Sequence, residues 1–141
     1  MEKTIALRGL ANVSFYAADL EAAKAWYSEL FGLAPYFNVP DYTEFRIGDY
    51  QHELGIIDRK YAPPGAANPP GGAIVYWHVD ELQLSLDRLI AHGATLYQPV
   101  TDHSGGKNTF VTASVTDPFG NILGIMTNVH YLDILAQKKL Q

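Results

Sequence analysis

From position 10 to 17 the chain alternates. Ala11, Val13, Phe15 and Ala17 fall on one side, and Leu10, Asn12, Ser14 and Tyr16 on the other. A period of two predicts a strand with unlike faces. The uniformly apolar face is suited to packing on a helix, and the mixed face to lining a less apolar space. Asp19 stands where a helix N-cap belongs. Leu20, Ala23, Trp26, Tyr27, Leu30 and Phe31 then recur at helical spacing, and Gly32 ends the run at a C′ position. Short strands are predicted at 36–39, 43–47 and 53–57, with 48–50 as the turn between the last two.

The stretch 61–72, YAPPGAANPPGG, holds four prolines and three glycines, a density that no regular element survives. It reads as a linker near the chain midpoint. Beyond it the order repeats. Val75, Trp77 and Val79 alternate with Ile74, Tyr76 and His78. Asp80 is placed to cap a helix with Leu82, Leu86, Leu89 and Ile90 on its face, and Gly93 ends it. Strands are predicted at 95–99, 110–116 and 122–126, the last two joined by the DPFGN turn at 117–121. An offset of 62 superposes Val13, Phe15 and Ala17 on Val75, Trp77 and Val79. An offset of 69 superposes Leu54, Gly55 and Ile56 on Leu123, Gly124 and Ile125, the difference being absorbed by the longer HSGGKN loop at 103–108.

Both halves therefore read β-α-β-β-β, and a repeat of this kind implies duplicated geometry. The fold class is α+β: two βαβββ modules forming curled mixed sheets around a shared cavity. Module one spans 8–60, the linker 61–72 and module two 73–127. Val129, Leu132, Leu135 and Ala136 give 128–141 a helical spacing, a short helix packed on the body or on a second subunit.

Composition narrows the function classes. At 141 residues and 15.6 kDa the chain is one domain, or two small halves sharing a core. With 48% hydrophobic and 18% charged residues it is globular and not disordered. A formal charge of -5 disfavours nucleic acid, whose phosphates need a positive surface, and mildly favours a neutral or cationic partner. Without cysteine there is no disulfide, thiolate metal site or cysteine nucleophile. No apolar run approaches the ~18 residues of a membrane span, and MEKTIALRGL lacks the apolar core of a signal peptide. A cytoplasmic protein without membrane contact is the expectation.

The segments NVSFYAADLEAAKAWYSELFGL (12–33), IVYWHVDELQLSLDRLIAHGA (74–94) and VTDPFGNILGI (115–125) together resemble the vicinal oxygen chelate superfamily, which groups glyoxalases, bleomycin-resistance proteins and extradiol dioxygenases. The likeness runs from Leu10 to Met126. It implies paired βαβββ modules and, in the enzymes, a divalent metal held by histidine and glutamate from four strands. Carried onto this chain, the ligand positions fall seven residues before Asp19, at the repeat-matched place in the fourth strand, five residues before Val79, and four after Gly120. They are Asn12, Gly55, Ile74 and Gly124. Glycine and isoleucine offer no ligating atom, and one amide oxygen does not hold a transition ion. No metal and no other cofactor is expected there.

Alternation assigns the cavity side. It takes Asn12, Ser14 and Tyr16 from the first strand, and Glu53, Gly55 and Ile57 from the fourth. From the fifth come Ile74, Tyr76 and His78, and from the eighth Ile122, Gly124 and Met126. Two tyrosines and a methionine suit a flat or amphipathic organic ligand, and the two glycines would leave extra volume. Each residue has a plainer role beside this. His78 fits a hydrogen-bonded strand histidine as well as an acid/base. Glu53 can pair with Arg46 instead of facing a cation. The tyrosines serve as wall, Met126 as core, and the glycines as relief of strand crowding. The histidine of the HSGG loop reads as a loop residue, and Asp117 as a turn residue.

Three functions follow. One is a metal-independent small-molecule binding protein resembling the bleomycin-resistance branch, a homodimer whose ligand is cationic or aromatic. Another is a glyoxalase-like lyase or dioxygenase-like enzyme that uses His78 and Glu53 for acid-base chemistry. The third is a structural or regulatory protein with a vestigial cavity.

Overall fold

The computed structural model describes Ile5, residues 8–63 and residues 70–140. Half of the predicted linker, 64–69, lies outside the described residues, as do parts of the N-terminal segment and Gln141. The chain divides into two compact units, Met1–Ala62 and Pro63–Gln141. Among the described residues there are three α-helices and two four-stranded mixed sheets, neither closed into a barrel.

The first unit runs β1 (Asn12–Ala17), α1 (Leu20–Phe31), β2 (Phe37–Val39), β3 (Tyr42–Ile47) and β4 (His52–Asp58), with strand order β1-β4-β3-β2. The predicted cap forms: an Asp19 carboxylate oxygen accepts the Ala22 N–H at 3.0 Å, satisfying a donor the helix cannot. At the other end Gly32 takes φ 66°, and its N–H reaches the Ser28 carbonyl. Between these ends Leu20, Ala23 and Tyr27 are buried against Phe15, Ala17, Phe45, Leu54 and Ile56. The Phe15 and Tyr27 rings lie 6.4 Å apart, and Phe31 meets Phe45 edge-on at 5.4 Å. Full burial of side chains this size contributes about 1.5–3 kcal/mol each. This apolar side fixes register, because a slip of one residue would turn every inward group outward.

The second unit repeats the plan with β5 (Val75–His78), α2 (Leu82–Ala91), β6 (Thr95–Asp102), β7 (Phe110–Thr116) and β8 (Ile122–Asn128), in the order β5-β8-β7-β6. The pairing repeats in detail. Ser14 stands opposite Gly55 between parallel strands, as Tyr76 stands opposite Gly124. Leu86 and Leu89 of α2 are buried with Ala113, Val115, Leu123 and Ile125. The DPFGN turn is held by Asp117, whose Oδ1 accepts the Phe119 and Asn121 N–H groups at 2.8 Å each.

Four expectations change. Glu81, not Asp80, holds the cap position of α2 and makes no side-chain cap bond, because Asp80 is turned toward His78. Ile90 is exposed and not part of the α2 core face. β6 continues through Asp102 instead of ending at Pro99. A closing helix α3 (Val129–Lys139) is present, but Val129 and Leu132 of its predicted apolar face are exposed, and no residue of α3 is buried.

Candidate functional site

In the first unit the sheet face away from α1 gathers Asn12, Ser14, Glu53 and Gly55, with Tyr42, Glu44 and Arg46 from β3. Tyr16 stands beside Ile57 on the same face. The polar groups satisfy one another. Asn12 Nδ2 donates to Glu53 Oε1 at 3.3 Å and to the Tyr42 hydroxyl at 3.4 Å, while its Oδ1 accepts from Ser14 at 2.7 Å. Tyr42 donates to Glu44 at 2.8 Å. Burial pushes the Tyr42 phenol up, the hydrogen bond from Asn12 draws it down, and the Glu44 carboxylate pushes it up again. It stays a neutral donor. Glu53 faces Arg46 at 3.8 Å, and that guanidinium lies 3.7 Å from the centre of the Tyr36 ring.

The glycines do not leave open volume, contrary to the expectation. A Cβ at Gly55 would meet the Tyr42 hydroxyl at 2.5 Å and Ser14 Oγ at 2.9 Å. At Gly124 a Cβ would collide with the Tyr76 ring. Each glycine lets an aromatic side chain lie on the sheet, so crowding explains both.

These residues do not fit a divalent metal. Rings cover the places where ligating side chains would rise at Gly55 and Gly124, and the Asn12 amide is spent on its neighbours. Among the described residues, no three His, Cys, Asp or Glu side chains gather closely enough to hold an ion.

His78 lies on the expected face of β5 but serves the fold. Its Nδ1 accepts the backbone N–H of Asn128 at 3.1 Å, so the other ring nitrogen carries the proton and points to Asp80 at 3.2 Å. Its ring stacks on Tyr131 at 4.9 Å and 11°. The imidazole thus ties the start of α3 to β5, and the lone pair a general base would use is occupied. Glu53, the other acid/base candidate, is likewise held by Asn12 and Arg46. Ile74 sits one residue before β5 begins.

An open cavity of about 450 Å³ lies on the second unit. Of the predicted ligand-contacting residues, it is lined by Tyr76 and Met126 alone. The rest of the wall comes from β6 and β7: Gln98, Pro99, Thr101, Phe110 and Thr112, with His103 just beyond β6. His103 is therefore a wall residue and not a bystander in its loop. Its Nε2 lies 2.9 Å from Thr112 Oγ1, and its ring stands nearly perpendicular to Phe110 at 5.7 Å. The period-two spacing of Pro99, Thr101 and His103 was the signal available in the sequence, masked by the proline, and Gln98 joins them through the irregular pairing of β6.

A family model for the Glyoxalase/Bleomycin resistance protein/Dioxygenase superfamily matches residues 9–125. The chain belongs to that superfamily. Among solved structures it is similar to a glyoxalase-related enzyme from Fulvimarina pelagi, at 25% identity and a TM-score of 0.67 over 86% of this chain and 89% of that one. It is also similar to a lactoylglutathione lyase from Agrobacterium tumefaciens, at 22% identity and 0.64 over 85% and 93%. Protein ATC0852 of Agrobacterium tumefaciens aligns at 20% identity and 0.71 over 87% and 99%. No curated protein matches the chain in sequence. In this superfamily member tyrosine side chains lie over Gly55 and Gly124, two of the positions to which the resemblance assigns metal ligands.

Proposed function

We propose that this superfamily member is a metal-independent small-molecule binding protein, with a ligand that is aromatic or cationic. One observation carries the reading: an open cavity of about 450 Å³ lined by Tyr76, Phe110 and Met126 together with Gln98, Thr101 and His103. Apolar walls with a few convergent polar groups are what a small organic ligand requires. The acid-base alternative has less support, because His78 and Glu53 are both engaged by neighbouring groups. A vestigial cavity is disfavoured by its being open.

The test is a thermal-shift screen of aromatic and amine compounds on protein dialysed against chelator. A ligand at about a hundred times its Kd stabilises by about 2.7 kcal/mol, a readable shift in Tm. Binding that persists after chelation supports the proposal. A stoichiometric transition ion whose removal abolishes binding overturns it. The same reading treats the chain as a homodimer, since Leu96, Tyr97 and Val100 on β6 are exposed. Elution at twice the monomer mass in gel filtration is the expected outcome.

A further inference from the structure

Among the described residues that line the second unit's cavity, none carries a fixed charge. No described aspartate, glutamate, lysine or arginine is among its lining residues. The nearest carboxylate in sequence, Asp102, alternates to the other side of β6. There it accepts the Ser104 N–H at 2.7 Å and the Ser104 hydroxyl, and Asn108 donates its N–H to the second oxygen. The overall charge of -5 therefore says nothing about this wall.

Two polar groups on the wall have no hydrogen-bond partner among the described residues: the Gln98 side-chain amide and His103 Nδ1. The amide supplies both a donor and an acceptor. The imidazole supplies one or the other according to its tautomer, since Nε2 is shared with Thr112. The Thr101 hydroxyl donates to the Pro99 carbonyl, so towards a ligand its oxygen can act only as an acceptor. Beside them stand Tyr76, Phe110 and Met126, surfaces against which a flat ring packs.

From this wall we infer that the ligand is an uncharged aromatic bearing a hydroxyl or carbonyl group, such as a phenol, received by Gln98 and His103. The inference rests on the binding reading above and chooses between its two ligand classes. A cation entering here gives up hydration without gaining a carboxylate. Attraction to aromatic faces compensates weakly at exposed rings, and Tyr76 and Phe110 are 38% and 45% exposed. An anion finds no lysine or arginine among the described residues of the wall.

The experiment is calorimetric titration of the whole protein with four probes sharing one ring system: a naphthol, naphthalene, a naphthylmethylammonium and a naphthoate. The naphthol is expected to bind about tenfold or more tighter than either ion. The double substitution Gln98→Leu with His103→Leu, at two exposed positions outside the core, should weaken the naphthol about tenfold and leave naphthalene unchanged. An unchanged Tm of that variant shows that its fold is intact. If the ammonium or the naphthoate binds as tightly as the naphthol, or if the double variant keeps full affinity for the naphthol, the inference is overturned while the binding reading stands. If none of the four binds, both are overturned.

Discussion

Tyr76 and Gly124 act as one unit. With the ring seated on the strand, a Cβ at position 124 has nowhere to go unless the tyrosine moves. Gly124→Ala is therefore expected to lower stability by about 1–3 kcal/mol, the usual cost of overpacking, measured by urea denaturation. Combined with Tyr76→Ala it should cost less than the sum of the two single changes, because the collision is removed. Ser114 offers the opposite case. It is fully buried beside Gly124, and its hydroxyl has no hydrogen-bond partner among the described residues. Ser114→Ala removes that penalty and is expected to raise stability by about 1 kcal/mol, with a matching rise in Tm. Sequence pattern placed Gly55, Gly124, Tyr76 and His78 on the correct strand faces. It could not say whether each glycine was space or floor, because that depends on the χ angles of Tyr42 and Tyr76. Nor could it say where the lone pairs of His78 point, because the donor that fixes them is fifty residues away in the chain.

At the scale of elements, the alternating strands and the two helices were legible because each buries one continuous apolar face. β6 was not. A proline usually ends a strand, since it cannot donate to the ladder. Here Pro99 falls within an irregular stretch where pairing skips from Gln98 to Thr101, on the outermost strand of the sheet, so the missing N–H breaks no regular pair. The strand runs on, and much of the cavity wall with it. Just past its end, the 103–109 loop depends on Asp102. Hydrogen bonds from the Ser104 hydroxyl and N–H hold the carboxyl below the usual aspartate range. A carboxyl lowered on folding supports the native loop above its unfolded value, about 3.9, and ceases to do so as pH falls through the lower folded value. The protection of the 103–109 loop against hydrogen exchange, measured relative to the intrinsic rate at each pH, should therefore fall below about pH 4. Asp102→Asn should show lower protection there at neutral pH and little further loss on acidification. Helix α3 depends likewise on one ring: His78→Ala should speed exchange along Val129–Lys139 and spare β7, since no residue of α3 is buried to hold it otherwise.

For the whole molecule, the duplication decides where chemistry can sit. Both units present a helix-free sheet face, yet the two faces differ. In the first, Asn12, Ser14, Tyr42, Glu44, Glu53 and Arg46 pair among themselves. In the second, Gln98 and His103 have polar atoms without a partner among the described residues, beside aromatic side chains. If binding belongs to the second unit, Glu53→Gln should leave ligand affinity within about twofold, whereas Phe110→Ala should reduce it severalfold, both read by calorimetry. The repeat could be read from spacing alone. The difference between the two faces could not, because it depends on which polar groups find partners after folding. The seated tyrosines also bear on engineering. A chelating side chain introduced at position 55 or 124 must first evict an aromatic ring from the strand beneath it. Libraries of single substitutions will therefore miss metal affinity in this scaffold, and only paired changes that shrink the tyrosine and install the ligand together can reach it.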